Sequence, residues 1–420
     1  MSRIAGRIVH GLHARDTRLH AEGRGTDLQL MRESNWLLVL NHVRQHGALP
    51  RAEVARQTGL SRTTVGNIVD DLLAEGLVRE GGSERAVPSG GRRVIPVHFN
   101  ADVANIVGIA LGRHRLIMVL TDLGANVIGR VEVPFPAYQG PDVCLPLLAE
   151  AIRDFTNSHG VPWAKVIGVG IGMPGIVKDG VALSPTIPGW IGTKVHQRIS
   201  ELLGLPIYLD NNAKLGALGE SRFGIAHDVE SMLYVRVGTG IGGGLVLGGQ
   251  VYRGGAGSAG EIGHMVVDPH GLPCLCGNTG CLETIAGKQA IIDRVREHQP
   301  AVDDIVTVLQ MAQAGDATCV AALQHAGESI GAIVAGLVNF ISPVLIVVDG
   351  STMRAGELVL GPIREAVATK SLPTPRAYTR VVAGVLGSSA ITLGGVATVL
   401  DAVFGSGAAL HSIQATTPAS

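Results

Sequence analysis

Three of the five cysteines stand within eight positions, at 274, 276 and 281, and His264 lies ten residues upstream. Three thiolates and an imidazole are a donor set that closes a tetrahedral zinc shell. Glycines at 271, 277 and 280 let a short loop turn back so that the four donors converge. A disulfide with an odd thiol, or simply buried cysteines, would use the same residues. Without a secretory leader the reducing interior favours the metal. Glu261 and Glu283 flank the cluster, so a rigid metal loop would fix two carboxylates in place.

Composition narrows what surrounds this loop. At 420 residues and 46% hydrophobic content the chain can bury a large core in two to three domains. No apolar run is long enough to span a bilayer without Gly, Pro or charge, and the N-terminus lacks a signal-like segment, so a cytoplasmic protein that meets no membrane is expected. The net charge is −1 but uneven: residues 1–100 carry 14 basic and 10 acidic side chains against 20 and 25 in the remainder. This mild asymmetry, +4 against −5, suits a front end that contacts nucleic acid, and every basic residue of that front is arginine.

Residues 1–28 hold few apolar anchors and no sustained periodicity, and are expected to be a disordered arm. The DNA-binding unit is expected over 29–100. From Met31, the positions Trp36, Leu37, Leu40 and Val43 give a helix that ends at Gly47, and a second short helix, 51–58, stops at Gly59. Ser61 is placed to cap a third, whose apolar positions Val65, Ile68, Val69, Leu72 and Leu73 line one face up to Gly76. Three helices with a tight turn before the third make a helix-turn-helix. Its DNA contacts would come from Ser61, Arg62, Thr63, Thr64 and Asn67, with Asp70 and Asp71 further along, away from the phosphates. Leu77-Val78 and 94–99 read as a hairpin wing, with Arg92 and Arg93 near its tip and able to enter a minor groove.

From residue 101 the pattern becomes α/β: three short strands in a meander (107–111, 116–121, 127–133), then strands and helices in alternation up to Phe404. Two lobes with a cleft account for that order, lobe 1 over about 101–215 plus the C-terminal helix and lobe 2 over about 216–390, within a body of 101–408 and before a tail of 409–420. The run Gly238-Thr239-Gly240-Ile241-Gly242-Gly243-Gly244 joins two strands; its Gly238, Thr239 and Gly240 could approach a phosphate, or make an ordinary hairpin.

These segments together resemble the ROK family of repressors, open reading frames and sugar kinases. The resemblance rests on the Gly238–Gly244 run, on Glu261-Ile262-Gly263-His264, and on Cys274-Leu275-Cys276-Gly277-Asn278-Thr279-Gly280-Cys281-Leu282-Glu283, and it covers about 32–405 with the winged helix of the repressor branch. It implies an N-terminal winged helix-turn-helix followed by a two-lobed, actin-like and sugar-kinase-like (ribonuclease-H-like) ATPase fold with a zinc loop. It also implies structural Zn2+ on His264, Cys274, Cys276 and Cys281, and a sugar held by Asn211, Asn212, Glu261, His264, Glu283 and Thr186.

Where the chain departs from the family's kinases, it loses the means of phosphotransfer. The phosphate loop Asp-x-Gly-Gly-Thr is replaced by Ala110-Leu111-Gly112-Arg113-His114, and the catalytic Asn-Asp-Ala-Asn by Asn211-Asn212-Ala213-Lys214. An amide at 212 cannot take a hydroxyl proton, and loss of a positioned base costs about 10²- to 10⁴-fold. The later Gly-Gly reads Asp349-Gly350-Ser351, and the Asn before Pro-Gly-Trp is Thr186. Bound ATP and Mg2+ are therefore not expected. The reading is a sugar-responsive repressor whose partners are operator DNA, a monosaccharide or sugar phosphate, and further copies of itself as a dimer or tetramer. The alternative is an active ATP-dependent sugar kinase with a regulatory DNA-binding domain.

Overall fold

The computed structural model describes residues 24–81, 95–183 and 187–405. Its first helix, Arg24–His46, begins seven residues before the Met31 expected from apolar spacing. The second, Arg51–Thr58, ends where Gly59 takes a left-handed φ of 73° and its N–H returns to Ala55 O. The third, Arg62–Ala74, is capped by Ser61, whose Oγ accepts from Thr64 N, and buries Val65, Ile68, Val69 and Leu72. Strands β1 (Leu49–Pro50), β2 (Val78–Glu80) and β3 (Pro96–Phe99) form a sheet in the order β1-β3-β2, with Val78 opposite Phe99. The stem of the wing is thus as expected, while its tip, with Arg92 and Arg93, lies outside the described residues.

The body carries two five-stranded sheets. In the first, β4 (Asn105–Leu111), β5 (Arg115–Asp122) and β6 (Val127–Pro134) form the meander, and β7 (Val166–Met173) and β10 (Ile207–Asn211) add parallel strands in the order β10-β7-β4-β5-β6. A small pair, β8 (Val177–Lys178) and β9 (Val181–Ala182), stands between β7 and β10 in the chain. The second sheet is ordered β13-β12-β11-β14-β15, from β11 (Ser231–Val237), β12 (Ile241–Leu247), β13 (Gln250–Tyr252), β14 (Leu345–Asp349) and β15 (Arg380–Ala383). β4 and β7 are buried along their whole length, as strands covered on both faces must be.

Two helices sit between these sheets. Asn212–Phe223 leads out of β10, and the closing helix Ala390–Phe404 packs on it and on β4 and β7. Asn212–Phe223 also packs on β11 and β12, so it is shared by both halves. The closing helix approaches β4 and β7 at backbone distance, which explains Gly108 and Gly170: a Cβ at either would lie 2.0 Å from the carbonyl oxygen of Thr392 or Gly395. The end of the same helix enters the core of the DNA-binding unit, where Val399, Leu400 and Phe404 join Val39, Leu40, Val43 and Val97 in one apolar cluster.

By length and composition two stretches, Ala317–Ile341 and Gly387–Phe404, could cross a bilayer, though each is interrupted by glycines and an acidic residue. Half or more of each apolar window is buried in the fold, the mark of a core helix.

Candidate functional site

The Cys274–Cys281 loop is folded by its own backbone. Cys274 N–H donates to Asn278 O at 2.8 Å, Gly277 N–H to Cys274 O at 3.0 Å and Gly280 N–H to Leu272 O at 2.8 Å. Gly280 has φ 67°, and a Cβ there would fall 1.5 Å from Asp268 O, so no other residue fits. The outcome is a tight donor cluster: the ligand atoms of His264, Cys274, Cys276 and Cys281 all lie within 4.8 Å of one another. Cys276 Sγ is 3.6 Å from Cys281 Sγ, and Cys274 Sγ is 3.5 Å from His264 Nδ1. Tetrahedral Zn–S bonds of about 2.3 Å give edges of about 3.8 Å, so the spacing suits a metal of that size. Burial and the neighbouring thiols push Cys281 up to about 12. Three crowded thiols cannot all ionise without a cation among them, and a divalent ion held there would supply it.

The imidazole divides its two nitrogens between metal loop and cleft. His264 Nδ1 faces Cys274, while Nε2 points to Glu261 Oε2 at 4.0 Å. Burial raises the Glu261 pKa, Lys214 and His264 oppose that, and Glu283 adds to it. The structure thus gathers Glu261, His264, Glu283 and the start of the Asn212–Phe223 helix. Glu283, however, is already engaged: its Oε2 accepts from Ile241 N at 3.0 Å, closing over the Gly238–Gly240 turn. Gly242, Gly243 and Gly244 are strand residues of β12, and a Cβ on Gly244 would meet Ala217 Cβ at 2.5 Å. Packing against the Asn212–Phe223 helix accounts for Gly242 and Gly244, and the approach of Gly260 and Ile262 for Gly243, without any phosphate.

Asn211 caps the Asn212–Phe223 helix, its Oδ1 accepting from Ala213 N at 2.7 Å and its Nδ2 donating to Gly175 O at 2.8 Å. Asn212 is 9% exposed. Its Nδ2 donates to Leu111 O at 3.1 Å, whereas its Oδ1 is buried with no partner. An acceptor left in that state costs about 1–3 kcal/mol until a donor arrives. Thr186 lies outside the described residues.

Sequence reasoning passed over the residues that anchor the loop before Glu261. Lys214 is buried and donates through Nζ to Gly257 O, while Arg253 Nε donates to Asp210 Oδ2 at 2.8 Å. Both clamp the loop 253–260 that leads into Glu261. A lysine in place of an asparagine, in a helix otherwise apolar or small on that face, was the available signal. Farther along the second sheet, Asp349 accepts from Tyr234 OH at 2.7 Å and from Gly350 N at 2.6 Å, and Glu220 is wholly buried nearby.

On the third helix of the DNA-binding unit, Arg62, Thr63 and Asn67 are exposed, while the Ser61 and Thr64 hydroxyls are 2.8 Å apart and occupied with each other in the cap. Arg51 reaches across from the second helix to Asp70 at 2.7 Å and to Glu80 of β2 at 2.8 Å. That cation ties helix to wing and neutralises acids that would repel phosphate.

Sequence models of two families match the chain, the MarR family over residues 27–92 and the ROK family over 106–402. The xylose repressor of Caldicellulosiruptor bescii is 30% identical over 388 residues, covering 89% of this chain and 96% of that one. The DNA-binding transcriptional dual regulator NagC of Escherichia coli is 29% identical over 370 residues, 85% and 90% of the two chains. Among solved structures, a ROK family transcriptional regulator described as a homologue of E. coli MLC superposes with a TM-score of 0.77 at 26% identity, over 90% of this chain and 97% of the other. A ROK glucokinase from Streptomyces griseus, in complex with glucose and AMPPNP, gives 0.62 at 27% identity over 70% and 98%.

Proposed function

The chain belongs to the ROK family, and from that premise we propose that it is a sugar-responsive DNA-binding repressor of carbohydrate metabolism whose kinase-like body senses a ligand without phosphorylating it. The observation that carries this reading is Asn212. It stands where the family's kinases have their general base, its nitrogen is committed to Leu111 O, and its unpartnered oxygen suits a ligand hydroxyl as donor. Asp349 adds to it, since a buried acid stands where the kinases have the first glycine of their Gly-Gly near the adenosine site.

The ligand is a monosaccharide or sugar phosphate that meets Asn212, Glu261 and His264, with Asn211, Glu283 and Thr186 completing the surround. Zn2+ on His264, Cys274, Cys276 and Cys281 holds Glu261, His264 and Glu283 in register. It is structural, since all four donors come from the protein. Operator DNA is read by Arg62, Thr63 and Asn67 in the major groove, with Ser61 and Thr64 at the helix start and Arg92 and Arg93 at the wing. The DNA-binding unit extends from Arg24 to about residue 100 and the body to about 408, followed by the tail. The protein acts in the cytoplasm as a dimer or tetramer, because helix-turn-helix pairs read half-sites about one turn, 10 base pairs, or multiples of it apart.

The test is a thermal-shift screen against neutral monosaccharides and their phosphates, beside a phosphotransfer assay with ATP and Mg2+. A ligand at 100 times its Kd should add about 2.7 kcal/mol of stability. Phosphorylation of any hexose at an enzyme-like rate would overturn the reading.

A further inference from the structure

The third helix of the DNA-binding unit contains one residue that the protein itself does not explain. Gly66 lies in the second turn of Arg62–Ala74, between the buried Val65 and the exposed Asn67. Its exposed neighbours at helical spacing are Arg62, Thr63 and Asp70, and Asn67 follows it in the chain. Glycine in a helix interior lowers stability relative to alanine, so a reason for it is expected.

At several other helix glycines such reasons are plain, although Gly336, on the exposed face of Ala317–Ile341, is as open as Gly66 and stands on a helix with no residue read as a DNA contact. A Cβ at Gly219 would meet Ala390 O at 2.1 Å, one at Gly394 would meet Leu215 O at 1.8 Å, and one at Gly216 would strike the Tyr234 ring at 2.7 Å. At Gly66 a Cβ meets nothing within 4 Å. The helix continues through it in ordinary right-handed geometry. Arg51 Nη1 lies 3.5 Å from Gly66 O, beneath the exposed face, and leaves the Cβ direction open. Neither packing nor backbone conformation selects the missing methyl.

What remains is the surface outside the protein. We infer that Gly66 is a close-approach position for operator DNA: the bare backbone lets the recognition helix seat against a base edge or thymine methyl in the major groove, and so sets the depth at which Thr63 and Asn67 reach their bases. The inference rests on the DNA-binding reading above and adds the residue that governs fit.

The full-length protein is used to select a binding site from duplexes with a randomised 20-base-pair core. Wild type, Gly66→Ala and Asn67→Ala are then compared on the selected duplex and on a scrambled one, at about 50 and 200 mM salt. Gly66→Ala should melt at a higher temperature than wild type, yet bind the selected duplex about tenfold or more weakly, as loss of one base contact does. Its affinity for the scrambled duplex and its salt slope should stay at wild-type values. Unchanged affinity for the selected duplex overturns the inference, and so does a lowered melting temperature, which would reveal an internal reason for the glycine. If wild type enriches no sequence while Gly66→Ala still melts higher, the DNA-binding reading itself has failed and this inference falls with it.

Discussion

The Arg44 guanidinium lies 4.3 Å above the ring of Phe404, so the first helix of the DNA-binding unit rests on the last residue of the closing helix. Asn41 Nδ2 donates to Phe404 O at 2.8 Å, and Phe99 packs edge-on against the same ring at 5.9 Å. Burial lowers Arg44 to about 10, with Asp401 opposing, and Asp401 itself pairs with Arg222 at 3.0 Å. Arg222 sits near the end of the helix that Asn211 caps. One helix therefore joins the cleft to the contact on which the DNA-binding unit is mounted. Phe404→Ala should destabilise the protein by about 3 kcal/mol, as loss of a buried phenylalanine does, read by urea denaturation. Proteolytic release of the DNA-binding unit should also accelerate; an unchanged cleavage rate would show that Phe404 does not mount it.

Asn212→Asp is the reverse of the change that separates this chain from its kinase relatives. A carboxylate there faces Leu111 O with no hydrogen to donate, so the variant should be about 1–3 kcal/mol less stable at neutral pH and recover as acid protonates it. It should still transfer no phosphoryl group in a coupled ATP assay. Turnover near 1 s⁻¹, about the lower range for enzymes, would show that nucleotide binding had survived.

The metal cluster predicts one equivalent of zinc per chain by elemental analysis. Cys276→Ser should weaken zinc by more than the roughly 10- to 100-fold that loss of an outer-shell partner costs. Ligand-induced thermal stabilisation should disappear in that variant while duplex binding persists, since the loop supports Glu261 and His264 and is remote in sequence from residues 24–99. A variant that keeps its full ligand response contradicts this order.

Glu220 supplies a pH signature. Burial raises its pKa, Asp349 adds a smaller push, and the Leu386 and Ile225 amides oppose. A carboxyl whose folded pKa lies above its unfolded value of about 4.3 favours folding most below that pH, and the contribution is lost as pH rises through the folded value. The stability of wild type minus that of Glu220→Gln should therefore fall as pH increases above about 4.3. A difference that is flat or grows with pH would place the folded pKa at or below the unfolded one.

Much of the architecture was written locally. The three helices of the DNA-binding unit followed from apolar spacing, a serine cap and glycine stops, and the metal loop from four donors and its glycines; each signal acts over a few residues, so the chain states it directly. The first helix ran past its expected start, because Arg24–Leu30 lacks an apolar stripe to read. Allocation of side chains was another matter. Glu283 answers Ile241, Asn212 answers Leu111, Lys214 answers Gly257 and Arg44 meets Phe404, partners 42, 101, 43 and 360 positions away. Hydrogen-bond and ring partners at that separation are chosen by how sheets and helices pack, so the sequence by itself determined which groups are present, and only the tertiary structure decided which are already spent and which, like Asn212 Oδ1, await a donor.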